Sequence, residues 1–160
     1  MGPCKPSRES PSSRPPRARS RVKRDSKRSL TRSLGALTEP LGIASSAVFV
    51  AGEDAVPLRL VAWTGFADPD GLAEAVRRPG HPIAAAFEDG VAAFDIRPVA
   101  PGGPSLRGHL PLLIRRDGSD APVGLLALAY EEPLDGQTRQ VLEAVADLLA
   151  VAVDRDRATH

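Results

Sequence analysis

Cysteine is almost missing from this chain, since Cys4 is the single one among 160 residues. One thiol near the N-terminus excludes a disulfide framework within the chain, and it excludes a thiolate metal cluster or a cysteine nucleophile in the rest of the sequence. Long apolar runs are also absent, and the arginine-rich N-terminus is not followed by the apolar segment of a signal peptide. We therefore expect a protein of the cytosol, with no membrane partner.

Charge is unevenly distributed, which the formal net charge of +1 conceals. Residues 1–35 hold 11 Lys and Arg against 2 acids, whereas residues 36–160 hold 10 against 18. Residues 1–29 are rich in Ser, Pro and Arg, with too few large apolar side chains to offset the entropy of ordering a backbone. We predict a disordered basic tail at residues 1–29 and an acidic globular domain at residues 30–157.

Only the basic tail has the chemistry to attract nucleic acid, because clustered Arg and Lys displace counterions from phosphates. No aromatic residue is interleaved there to stack on bases, which favours the plainer interpretation of a solubilising linker. A third interpretation is a start codon assigned too far upstream, since Met1 is the one methionine of the chain.

Apolar residues at helical spacing mark both ends of the domain. Near its start, leucines recur at intervals of four, three and four, which predicts a first helix over about residues 29–41. Near its end, Asp135 is a good N-cap for a helix that runs to about residue 155 with an unusually broad apolar arc. We expect the two helices to pack together, or against a partner, through Leu30, Leu34, Leu37, Val141, Val145, Leu148 and Leu149.

Between these helices, β-rich runs alternate with turn signals. The pattern predicts two short helices, at about residues 72–78 and 82–90. Strands are predicted at residues 46–51, 58–64, 91–96, 110–115 and 123–130, with Asp-Gly turn chemistry between the last two. This order predicts an α+β fold in which helices pack on an antiparallel sheet.

Two blocks of the sequence resemble the GAF domain family. Residues 47–50 with 58–66 resemble the opening hairpin of GAF domains. Residues 110–114, 123–128 and 133–135, followed by a long apolar helix, resemble the block that closes them. The resemblance implies a GAF-like, PAS-related sheet with the N- and C-terminal helices on one face and short helices and loops over the other. The PAS fold itself is the main alternative.

The resemblance also implies a stand-alone bacterial sensor or dimerisation module. Several specific activities of the family are excluded, because the residues that they need are missing. A cysteine-linked bilin and free methionine sulfoxide reductase activity both need cysteines that residues 30–160 lack. The Asn-Lys-Phe-Asp-Glu constellation of cyclic-nucleotide-binding GAF domains is absent, because those residues contain neither Asn nor Lys. Haem ligation through a histidine stays open, and no cofactor is identified. We expect no catalytic residue and no metal site.

A GAF arrangement would place several residues around a ligand pocket. His109 starts a strand, and we expect it to face solvent. The chain has only six aromatic residues. The competing interpretation is that the aromatic pocket candidates simply pack in the core. The pocket candidates are Trp63, Phe66, His81, Phe87, Phe94, Ile96, Arg97 and Arg107.

Two hypotheses of function follow. In the first, a non-catalytic signalling domain binds an unidentified small molecule between the sheet and residues 66–107, and acts through a partner. In the second, the domain has no ligand, and its terminal helices bind another copy or a larger signalling protein. A filled core beneath the short helices favours the second hypothesis, and an open cavity there favours the first.

Overall fold

A computed structural model of the chain describes residues 30–52, 58–98 and 103–158. The predicted tail at residues 1–29 lies outside the described residues. The helices and strands, in chain order, are α1 (30–38), a 3-10 turn (Glu39–Leu41), β1 (Ile43–Ala51), β2 (Leu58–Thr64), α2 (Pro69–Val76), α3 (Pro82–Asp89), β3 (Ala93–Ile96), β4 (Leu106–Arg116), β5 (Ser119–Tyr130) and α4 (Gly136–Ala158).

The five strands form one antiparallel sheet in the order β2-β1-β5-β4-β3. Strand β5 lies at its centre, where Leu126 pairs with Val48 on one side and with Leu110 on the other. Strands β2 and β3 form the two edges. The predicted α+β class with an antiparallel sheet is therefore confirmed.

Each face of the sheet carries its own hydrophobic cluster. The larger cluster joins Leu34 of α1 and Leu142 and Leu149 of α4 to the sheet. The smaller cluster joins Val76 of α2 and Ile83 of α3 to the opposite face. The terminal helices thus share one face and the short helices cover the other, as the resemblance implied.

Local hydrogen bonds explain where element boundaries differ from the predicted ones. Helix α2 begins at Pro69, because the Asp68 carboxylate accepts the N–H of Gly71 at 3.0 Å and caps the helix. The predicted start of this helix at about residue 72 is therefore three residues too late. Strands β4 and β5 continue as far as the Asp117-Gly118 turn, where both residues have positive φ.

A chain of buried hydroxyl groups holds α1 against the sheet. The Thr38 hydroxyl donates to the Leu34 carbonyl at 2.7 Å and lies 3.4 Å from the Ser46 hydroxyl of β1. Ser46 in turn lies 2.8 Å from the Thr64 hydroxyl of β2. Gly42, at a φ of 80°, then ends the helical segment and starts β1.

Candidate functional site

The face beneath the short helices is filled by side chains. Phe49 and Leu125 are fully buried in it, and Val76 and Ile83 cover them from α2 and α3. Two of the predicted pocket residues, Phe66 and Phe87, pack half-buried against this same cluster. Among the described residues, the space between the sheet and the short helices therefore has the dense packing of a core.

His109 lies on this face as well, since Leu106 and Leu110 on the same strand belong to the opposite cluster. Its side chain is only 6% exposed, so the prediction that His109 faces solvent is wrong. Burial, helped by the nearby positive charge of His81 and Arg107, lowers the pKa of His109 to about 4.

His81 caps the N-terminus of α3. Its ring Nδ1 accepts the N–H of Ile83 at 3.2 Å, and Pro82 occupies the first helical position. Burial, and then the charge of Arg78, lowers the pKa of His81. Within the described residues, no group of three or more His, Cys, Asp or Glu side chains could hold a metal ion.

Phe94 lies away from Phe66 and Phe87. It packs against the cluster of the terminal helices, and the Arg139 guanidinium of α4 stands 5.2 Å from its ring centroid. Ile96 is half-buried two residues further along the edge strand β3. The structure thus divides the predicted aromatic pocket residues between the two faces of the sheet.

Asp95 joins β3 to β5 and to α4, and it is not among the site residues predicted from the sequence. Its carboxylate accepts hydrogen bonds from the Tyr130 hydroxyl at 2.9 Å, the Leu134 N–H at 3.2 Å and the Arg139 guanidinium at 2.6 Å. Burial raises the pKa of Asp95, but the bonds from Tyr130, Leu134 and Arg139 outweigh it and the net shift is downward. The only available signal was an acidic residue inside a predicted apolar strand.

The two predicted arginines lie in different surroundings. Arg107 donates to the carbonyls of Pro104 and Leu106, so its guanidinium is bound to its own backbone segment. Arg97 is exposed just after β3. Trp63 lies on the edge strand β2 and is 39% exposed.

A groove of about 600 Å³ runs past Trp63 along the free edge of β2. Helix α1 forms one wall and the first turns of α2 form the other. The lining residues are Thr31, Arg32, Leu60, Val61, Trp63, Pro69, Asp70 and Ala73.

The residues predicted at a helix interface fall into two groups. Leu34, Val145 and Leu149 are buried in the core of the domain itself, and Leu30 packs half-buried against it. Leu37, Val141 and Leu148 are exposed, as is Val151 on the same helix as the last two. The exposed residues of α4 form a second apolar face, which we name the outer stripe: Val141, Ala144, Leu148 and Val151.

Several solved structures are similar to this one. The second GAF domain of DevS from Mycobacterium smegmatis has 23% sequence identity and a TM-score of 0.62, over 86% of this chain and 96% of that one. The GAF domain of a phosphoenolpyruvate-protein phosphotransferase from Coxiella burnetii has 14% identity and a TM-score of 0.62, over 84% of this chain and 85% of that one.

An enzyme is similar to the chain as well. A type II free methionine-R-sulfoxide reductase from Thermoplasma acidophilum has 14% identity and a TM-score of 0.61, over 84% of this chain and 96% of that one. No protein-family model and no curated protein sequence matches the chain. Among the described residues, no helix combines the length and apolar character that crossing a membrane requires.

Proposed function

We propose, on the premise that this chain has the GAF domain fold, that it is a non-catalytic signalling module that associates with a second copy of itself through α4. The outer stripe is the observation that carries this proposal. Leu148 is 64% exposed and Val151 is 49% exposed, although both are large apolar side chains on a regular helix. Such a contiguous exposed apolar surface is typical of a protein interface.

The spacing of the outer stripe is that of a coiled-coil seam. Val141 and Leu148 lie seven residues apart, and so do Ala144 and Val151, with three- and four-residue steps between them. The opposite side of α4 is already used, because Leu142, Leu149 and others are buried against the sheet. A helix that is apolar on two sides has one side more than the folding of its own domain requires.

A second copy is the partner that best matches this stripe. The four residues carry no charge, so the same surface can face itself across a two-fold axis without like-charge repulsion within the seam. Leu37 of α1 is an additional exposed apolar residue in a terminal helix. Burial of each large apolar side chain contributes about 1.5–3 kcal/mol, so a few such residues from each copy could support a stable pair.

The proposal of a small molecule between the sheet and residues 66–107 has less support. The described side chains of that region pack together in one hydrophobic cluster, which favours the hypothesis without a ligand. A non-catalytic role is supported by the absence of cysteine from residues 30–160, although the T. acidophilum reductase demonstrates that the fold is compatible with catalysis.

The first test is the Leu148→Glu substitution, measured by light scattering coupled to size-exclusion chromatography. We expect the unaltered chain to be a dimer and L148E to be a folded monomer that still melts cooperatively, because Leu148 contributes little to the core of its own domain. Val91→Glu is the matched control, since Val91 is also an exposed apolar residue but lies after α3. An unaltered chain that is monomeric at its highest soluble concentration would contradict the proposal.

A further inference from the structure

We propose that the groove beside β2 binds a small aromatic zwitterion, with the planar ring of the ligand against Trp63 and its two charges on Arg32 and Asp70. This inference goes beyond helix-mediated association and does not depend on it. The chemical class includes free aromatic amino acids.

The groove is open to solvent and has room for a small molecule. Its volume of about 600 Å³ lies within the range of roughly 300–1,000 Å³ in which ligand pockets fall. Its floor is apolar, with Leu60 and Val61 beside Trp63, and Pro69 and Ala73 belong to the α2 wall. The α1 wall is held in place by the buried hydroxyl chain that links α1 to β1 and β2.

Trp63 gives the floor a preference for planar ligands. Tryptophan side chains are highly buried on average, yet this indole is 39% exposed on an edge strand. A second aromatic ring would remove that surface from water and gain the offset-stacked geometry that aromatic pairs prefer.

The polar walls select for charge. Arg32 of α1 and Asp70 of α2 lie on opposite walls and carry opposite charges. Among the described side chains, the ion pairs are Arg116 with Asp154 and Arg139 with Asp95, so both groove charges are without an ionic partner there. A ligand with one carboxylate and one ammonium group meets both charges, with the carboxylate on the planar guanidinium, whereas a singly charged ligand leaves one unmet.

An extended peptide is the other occupant that an edge strand suggests. The part of β2 that lines the groove runs from Leu60 to Trp63, which is about 10 Å at the rise of a strand. A peptide could pair with only a few residues there before it met the limits of the groove, whereas a compact zwitterion fits that length. The observations therefore favour the small molecule.

The test is isothermal titration calorimetry of the full chain with L-tryptophan as the probe. Tryptamine, which lacks the carboxylate, and 3-indolepropionate, which lacks the ammonium group, are the two comparison probes. We expect each of these to bind about twofold to fivefold more weakly than L-tryptophan, because each loses one ion pair with an exposed side chain. Equal binding of all three, or no binding of L-tryptophan, would overturn the proposal.

Substitutions then locate the site. Arg32→Gln and Asp70→Asn should each weaken L-tryptophan binding about twofold to fivefold, whereas R32Q should not weaken tryptamine binding. Arg59→Gln is the control, because Arg59 is exposed on β2 but does not line the groove. Weakening by R59Q equal to that by R32Q, or binding that survives both groove substitutions, would place the ligand elsewhere and overturn the assignment.

Two further variants separate this proposal from folding and from self-association. Trp63→Phe keeps an aromatic floor and should retain most of the affinity, whereas Trp63→Ala should abolish binding in a chain that still melts cooperatively. The L148E chain should bind L-tryptophan as the unaltered chain does. Loss of binding in L148E would show that the groove needs the associated state, and would contradict the independence of the two surfaces.

Discussion

Asp95 connects the edge strand β3 to a distant stretch of the chain, which includes the end of β5 and the first turn of α4. It has a φ of 56°, which few residues other than glycine adopt, and its carboxylate is bonded to Tyr130 of β5, to Leu134 before α4 and to Arg139 within α4. The edge strand β3 has only four residues, so these bonds supply much of what fixes it to the rest of the domain.

Replacement of Asp95 by alanine should lower the free energy of unfolding by about 2–4 kcal/mol. The change leaves the Tyr130 hydroxyl and the Arg139 guanidinium without their acceptor. In addition, alanine tolerates a positive φ less well than aspartate does. Asp95→Asn should cost less, because asparagine tolerates this φ and still accepts a bond. Urea denaturation measures both, with the exposed Asp120→Asn as a control. Equal stability of D95A and D120N would contradict this role.

His109 makes the stability of the domain depend on pH. Its pKa is about 4 in the folded chain and about 6.5 in an unfolded one, so the unfolded chain binds more protons between these values. Its contribution is therefore fully present above pH 6.5 and is lost as the pH falls toward 4, by up to about 3 kcal/mol. His109→Gln should flatten the stability profile over this interval in urea titrations at a series of pH values.

The cap residue provides a control for that experiment. His81→Asn removes the half-buried histidine near His109, but asparagine is itself a good N-cap for α3. H81N should therefore keep most of the acid-dependent loss. A stability profile that flattens in H81N but not in His109→Gln would contradict the prediction, because it would assign the acid-dependent loss of stability to His81.

At the scale of the elements, the contact between β1 and β5 is unusually close at Gly124. A Cβ built on Gly124 would lie 2.2 Å from the Phe49 carbonyl oxygen, a distance that no real side chain occupies. Because β5 is the central strand, its partners on both sides fix its position. Position 124 therefore requires glycine because there is no space for a Cβ atom, and not because of its backbone conformation.

Gly124→Ala should destabilise the chain by about 2–4 kcal/mol, since β1 or β5 must shift to admit the methyl group. Gly136→Ala at the start of α4 is the matched control, because nothing lies within 4 Å of a Cβ there. That change should be neutral or slightly stabilising. Thermal unfolding followed by circular dichroism compares the two variants. Equal melting temperatures would contradict the prediction, because β1 and β5 would then accommodate a methyl group without cost.

The sequence predicted every strand and both short helices, because apolar periodicity and Gly or Pro punctuation are local signals. The start of α2 was missed because the Asp68 cap resembles a turn in sequence. The burial of His109 was missed for a different reason. A polar residue at the start of a strand reveals nothing about what packs over it, and here α3 lies across β4 and β5.

At the scale of the whole molecule, the resemblance to GAF domains correctly predicted the layers of the fold. It did not predict which face Phe94 takes, because that depends on the register of β3 against β4, which shifts within this strand pair. Phe94 packs against the cluster of the terminal helices, whereas Phe66, which follows β2, and Phe87 of α3 pack against the other cluster. The outer stripe and the groove were beyond prediction too, because apolar periodicity does not reveal which of two apolar faces stays uncovered.

The two surfaces proposed for binding also share an element. Helix α1 carries Arg32, which lines the groove, and Leu37, which is exposed near its end. Hydrophobic clusters cover both faces of the sheet. Both proposed binding surfaces therefore lie on the outside of the domain, and neither lies between the sheet and its helices.

Trp63 has an optical consequence. It is the only tryptophan of the chain, so selectively excited emission comes from one indole on the groove floor. The only tyrosine, Tyr130, is buried, and its hydroxyl is bonded to Asp95. The wavelength of this emission reports how far water reaches the indole of Trp63. It should shift to shorter wavelengths when a ligand that contains no indole covers this side chain.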